Sequence, residues 1–164
     1  MLMRCLDEGG IPVHRDHTRD ARPPAHNPDG FYEPPHGLDP DAVPDGHAIK
    51  MFVTSTDMLR GTRPQWNVAL IRRNPADVLA SHERLTGRPL RRSVGTHGLA
   101  VTDFSPSGYE RLMGWAVQTL RTLGVTSIVE LQYEDICANP TATLGRLVEA
   151  GWPLDLDAAA AVPR

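Results

Sequence analysis

The chain has 164 residues, of which 40% are apolar and 23% charged, with a formal net charge of −3. That length fits one domain, 1–164, able to bury about 70% of its unfolded surface. No apolar run reaches the roughly 18 residues of a membrane span, and the acidic balance offers no basic footprint for nucleic acid. The apolar start Met1 to Leu6 meets Asp7 and Glu8 too soon for a secretory leader. Two cysteines, Cys5 and Cys137, make neither a disulfide framework nor a zinc cluster, so a cytoplasmic protein is expected.

In chain order, Met1 to Glu8 has helical composition and stops at Gly9-Gly10, a C-terminal cap signal. No cap residue precedes Met1. Up to and including residue 47 lie 8 of the 15 prolines and 5 of the 7 histidines, so 15–47 reads as a long Pro- and His-rich loop. Ala48 to Thr54 reads as a short strand, and Ile11 to Val13 is a further strand candidate. Asn67 to Ile71 is an apolar run of strand length. Asn74-Pro75 then opens a helix to about Thr86, with Gly87 as its stop. Ser105-Pro106 opens another, whose apolar positions Tyr109, Leu112, Met113, Ala116, Val117, Leu120 and Leu123 mark one buried face; Gly124 ends it. Ser127 to Gln132 reads as a strand, and Asn139-Pro140 caps a last helix that ends at Gly151. Strands alternating with helices predict an α/β fold with a parallel sheet and helices packed on it.

Of the 17 basic residues 16 are arginine, with Lys50 the only lysine. Arginine binds phosphate through a planar fork of parallel hydrogen bonds. Arg73 falls where a strand ends and a helix begins, the edge at which parallel α/β sheets bind ligands. The helix N-terminus there is expected to offer free N–H groups. Ser81 lies on the same helical face as Asn74, two turns or roughly 10 Å further along. Arg73 and Ser81 are therefore candidates to hold one phosphate, or else solvated surface residues. Asn74 and Pro75 are explained as cap and first turn, and Asp77 as the acid that reaches back to the cap. Tyr133-Glu134-Asp135 follows the strand Ser127 to Gln132, either as a second group at the same edge or as a polar turn. His14 and His17, with Asp16 and Asp20, could form a zinc set, but they lie in a loop without structure signals, so no metal is expected.

The segment Arg73-Asn74-Pro75-Ala76-Asp77-Val78-Leu79-Ala80-Ser81 resembles the 3′-phosphate-binding motif of sulfotransferases. Tyr133-Glu134-Asp135-Ile136, followed by Asn139-Pro140, is similar to the Tyr-Glu-Asp segment late in that fold. Leu2 to Val13 resembles the first helix of a bacterial branch of the family. Asn27-Pro28-Asp29-Gly30-Phe31-Tyr32-Glu33 resembles the Asn-Pro-x-Gly-Tyr-Tyr-Glu segment of that branch.

The resemblance implies a three-layer parallel sheet with helices on both faces, of the P-loop NTPase-like type. The donor would be 3′-phosphoadenosine 5′-phosphosulfate, with Arg73 and Ser81 on its 3′-phosphate and Tyr133 near the nucleotide. A sulfuryl group would pass in line to a hydroxyl or amine of a small-molecule acceptor, without nucleic acid, membrane or metal. Lys50 matches the lysine of the family's Lys-x-His setting and would contact substrate. Phe52 stands where many members carry the histidine base, which leaves Glu33, His14 and His17 as loop candidates for that role.

The family's 5′-phosphosulfate loop would lie before Met1, so the chain is expected to be truncated and to lack the first strand. Poor turnover and self-association through an unpaired sheet edge are then expected. The alternatives are a non-catalytic module that binds an adenosine nucleotide or a partner, and, as an outlier, a metal-binding loop.

Overall fold

The computed structural model describes residues 1–16, 32, 34, 37–62, 66–86, 93–94, 100–101 and 105–162. In chain order the elements are α1 (Leu2–Glu8), a 3-10 turn (Pro40–Ala42), a 3-10 helix (Val53–Leu59), β1 (Asn67–Arg72), α2 (Pro75–Thr86), β2 (Ser93–Val94), β3 (Ala100–Val101), α3 (Pro106–Thr122), β4 (Ser127–Gln132), α4 (Tyr133–Ala138), α5 (Pro140–Glu149) and α6 (Leu156–Ala160). They fall into two compact units, one of Met1–Met51 with Asp135–Arg164 and the other of Phe52–Glu134. The class is mixed α/β, with β1 and β4 forming a two-stranded parallel sheet. No described helix is long and apolar enough to cross a membrane.

In the unit Phe52–Glu134, β1 and β4 pair from Asn67↔Ser127 to Arg72↔Gln132. β2 and β3 form a small antiparallel pair that the sequence pattern does not announce, because two-residue strands carry no periodicity. Helix α3 begins as its sequence predicts: the Ser105 hydroxyl accepts the Gly108 N–H at 3.1 Å, and Pro106 fills the first turn. Its buried face is Tyr109, Met113, Ala116 and Leu120, spaced by three and four residues as one helical stripe requires. Leu70 of β1 joins Tyr109 and Met113 in the core, with Val53, Val117 and Ile128 packed on them. Each fully buried Leu or Met side chain contributes about 1.5–3 kcal/mol.

The other unit is helical. The Asn139 side chain accepts the Ala142 N–H and Asp155 accepts that of Ala158, starting α5 and α6. Leu144 and Leu147 are fully buried on α5, and α6 packs on both α5 and α1. Gly151, at φ 85°, closes α5 in the left-handed region that favours glycine. The Gly9 carbonyl accepts the Asp155 N–H at 2.9 Å. That approach is close enough that a Cβ on Gly9 would collide with the Leu154 side chain, and would lie 2.9 Å from both Ala159 Cβ and the Cys5 carbonyl.

The expected strand Ala48 to Thr54 is not formed. Ala48 makes a single parallel bridge with Val13, donating to Pro12 and accepting from His14, each at 2.8 Å. The chain then turns into the 3-10 helix from Val53. The reason is local: the Thr56 hydroxyl donates to the Val53 carbonyl, the side chain-to-backbone bonding by which Thr, Ser and Asp compete with a ladder. The Ile11 to Val13 candidate likewise survives only as that bridge. Tyr133-Glu134-Asp135, read as an edge group or a polar turn, begins a short helix, Tyr133–Ala138, anchored by the fully buried Ile136.

Two glycines separate close packing from mere tolerance. Gly9→Ala is expected to lower stability by about 1–3 kcal/mol through overpacking. Gly114, inside α3 with nothing within 4 Å of an added Cβ, should gain about 0.5–1 kcal/mol as alanine. Urea unfolding of both variants checks the contrast.

Candidate functional site at the carboxyl edge of the parallel strands

Paired parallel strands keep one register along their length. Each residue of β1 stands beside the residue 60 positions later on β4, and the Asn74–Glu134 hydrogen bond continues that offset beyond the last pair. One step past Arg72↔Gln132 brings Arg73 beside Tyr133. The Arg73 guanidinium carbon lies 4.7 Å from the Tyr133 ring centroid, within the roughly 6 Å at which the ring face attracts a cation. Two segments distant in sequence meet here because their strands share a register.

The adjacent arginines have different partners. Arg72 and Glu130 stand two positions apart diagonally on one face, since Glu130 pairs with Leu70. The Arg72 Nε donates to Glu130 at 2.6 Å and its Nη1 to Glu110 at 2.8 Å. The hydrogen bond to Glu130, above all, raises the pKa of Arg72 further. Arg73, one residue past the end of β1, instead lies over the Tyr133 ring. Its Nε is buried and has no hydrogen-bond partner. Arg72 is thus a clamp between strand and helix, and Arg73 is the arginine with a donor to spare.

The turn that carries Arg73 is held through its backbone. The Arg73 N–H donates to the Tyr109 hydroxyl at 2.9 Å, and the Tyr109 ring is buried in the core beside Leu70 and Met113. The Asn74 N–H donates to Glu134 Oε1 at 3.1 Å. Asn74 caps α2 as expected: its side-chain oxygen accepts from Ala76 at 3.0 Å, and its carbonyl accepts from Asp77 and Val78. The acid that reaches back to the cap is Glu134 rather than Asp77. The expectation of free amides at this helix start is also corrected. Pro75 has no N–H, and those of Ala76, Asp77 and Val78 are taken by Asn74. An anion arriving here would meet the Arg73 side chain first.

Glu134 is exposed, yet its carboxyl is held below the ordinary carboxylate range. The Asn74 N–H is the largest cause, its own backbone N–H the next, and the positive charge of Arg73 adds to them.

Of the residues singled out in the sequence, Arg73 and Tyr133 are brought together. Ser81 lies half-buried on α2. Lys50 lies in the other unit, two residues past the Val13–Ala48 bridge. His14 is half-buried and bonded through its N–H to Ala48. Glu33, His17, Asp20 and the segment 27–31 lie outside the described residues. Among the described residues no group of three His, Cys, Asp or Glu side chains is placed to hold a metal. Tyr109 was legible only as an apolar helix position; nothing in its spacing points to the hydroxyl that holds Arg73. Comparison with family models, with curated proteins and with solved structures finds no match.

Two outcomes follow from this geometry. Tyr109→Phe removes the acceptor of the Arg73 N–H while keeping the ring, and should cost about 1–3 kcal/mol in urea unfolding. Glu134 is better ionised in the folded chain than in the unfolded one. Its contribution is therefore complete above the ordinary glutamate pKa and is lost as pH falls through its lowered folded value. Glu134→Gln should show a shallower loss of melting temperature over that acid range than the wild type. Parallel profiles would contradict the assignment.

Proposed function

We propose that the chain is a sulfotransferase-like protein that holds the 3′-phosphate end of an adenosine nucleotide at the edge of β1 and β4. Arg73 supplies the charge, Ser81 a hydroxyl on α2, and the Tyr133 ring a surface beside the nucleotide. The observation that carries this reading is the Arg73 guanidinium over Tyr133 at the ends of two neighbouring parallel strands, with Nε buried and unpartnered. A buried donor without an acceptor is costly, by about 1–3 kcal/mol, and a phosphate oxygen in the guanidinium plane relieves that cost through a charge-assisted bond. The edge itself is where parallel sheets place ligands. On the same reading β1 and β4 are neighbours in a three-layer P-loop-type sheet, and the protein works in the cytoplasm, where its free Cys5 and Cys137 stay reduced.

The donor is 3′-phosphoadenosine 5′-phosphosulfate. An acceptor oxygen or nitrogen forms a bond to sulfur, the bond from sulfur to the 5′-phosphate oxygen breaks, and adenosine 3′,5′-bisphosphate leaves. The acceptor proton passes to solvent water. The share of Arg73 is to fix the donor by its remote phosphate, so that binding energy serves positioning at the sulfur.

A second reading, nucleotide binding without turnover, is favoured by Phe52. It stands where the resembling family often carries a histidine, is 64% exposed, and has no group that takes a proton.

Adenosine 3′,5′-bisphosphate is expected to raise the melting temperature, as any ligand of the folded state alone does. Arg73→Ala should abolish that shift and Ser81→Ala reduce it. An unchanged shift in Arg73→Ala would remove the site. Labelled donor offered with hydroxyl and amine acceptors separates the two readings: label transferred to an acceptor supports the enzyme, and saturable binding without transfer supports the module.

A further inference from the structure

Glu134 has a place at this edge that the proposed function does not use. Its carboxylate accepts the Asn74 N–H at 3.1 Å. That amide begins the turn from β1 into α2, where an anion also gains from the positive end of the helix. The N–H groups of Ala76, Asp77 and Val78 are satisfied by Asn74, and that of Arg73 by the Tyr109 hydroxyl. The charge of Arg73 acts on the same carboxylate, while Arg73 Nε stays without an acceptor. Glu134 thus answers the backbone and the field of the site but leaves the guanidinium donor unused. Being exposed, it can swing away at little steric cost.

We propose that Glu134 is an internal competitor for the anion bound at Arg73, a residue that sets which anions the edge accepts. This rests on the reading that the edge binds phosphate. An incoming oxyanion takes the Asn74 N–H from Glu134 and pairs with the Arg73 guanidinium. A carboxylate that enters exchanges like for like at the amide and gains little. A phosphate monoester carries about −1.5 to −2 charges and three acceptor oxygens, enough to engage the amide and the guanidinium together. The substrate class so favoured is a terminal phosphate monoester.

The test compares wild type, Glu134→Gln and Glu134→Ala by calorimetric titration with inorganic phosphate and with adenosine 3′,5′-bisphosphate. Gln keeps an acceptor for the Asn74 N–H and removes only the charge; Ala removes both. Release of one surface charge pair is worth up to about fivefold in affinity. Both variants should bind both probes more tightly than wild type by about that factor, with Ala at least as tight as Gln. Equal or weaker binding by both variants overturns the proposal, and leaves the nucleotide reading intact if wild type binds the bisphosphate. Tighter binding of phosphate by the variants, with no bisphosphate binding in any protein, upholds the competitor and overturns the nucleotide reading. No binding of either probe by any of the three proteins overturns both.

Discussion

The parallel register of β1 and β4 is the constraint on which the candidate site depends. Backbone hydrogen bonds fix one offset along both strands, and everything at their carboxyl ends inherits it. Arg73 meets Tyr133, and Asn74 meets Glu134, because both pairs continue that ladder by one and two steps. A shift of one residue would separate the pairs and turn each side chain to the other face. The register is secured by Leu70, Val129 and Leu131, which the strands bury, and by the Arg72–Glu130 pair across them.

Electrostatics then distinguishes two adjacent arginines by their partners. Arg72 is used up by Glu130 and Glu110 and joins a strand to α3. Arg73, one residue on, faces an aromatic ring and keeps a donor without an acceptor. The backbone of Arg73 is tied to the buried Tyr109 hydroxyl, so the side chain projects from a fixed point. A preorganised cation needs less ordering when it binds an anion than a free surface arginine does. This difference in setting, more than arginine content, makes Arg73 the functional candidate.

Much of this is legible in the residues. Ser127 to Gln132 and the helix from Pro75 to Thr86 stand where their patterns put them, because apolar runs and cap residues act locally. Asn74, Ser105 and Asn139 cap helices for the same reason. The region from Ala48 to Thr54 misleads because β-branched residues suit a strand only when a partner is present, and here the Thr56 hydroxyl binds the Val53 carbonyl instead. The sequence hints that Arg73 and Tyr133 meet but does not require it, since strand pairing is a long-range choice. The roles of Tyr109 and Glu134 are hidden altogether: each depends on a partner distant in the chain, 36 and 60 residues away.

The central claim is that the Arg73–Tyr133 pair binds the phosphate of an adenosine nucleotide. The most direct measurement follows the Arg73 Nε–H and Tyr133 ring resonances by NMR while adenosine 3′,5′-bisphosphate is added. The account predicts that both move together and saturate over one concentration range, as Nε gains an acceptor and the ring gains a neighbour. Resonances that stay fixed at Arg73 and Tyr133, whether or not others move, would contradict it.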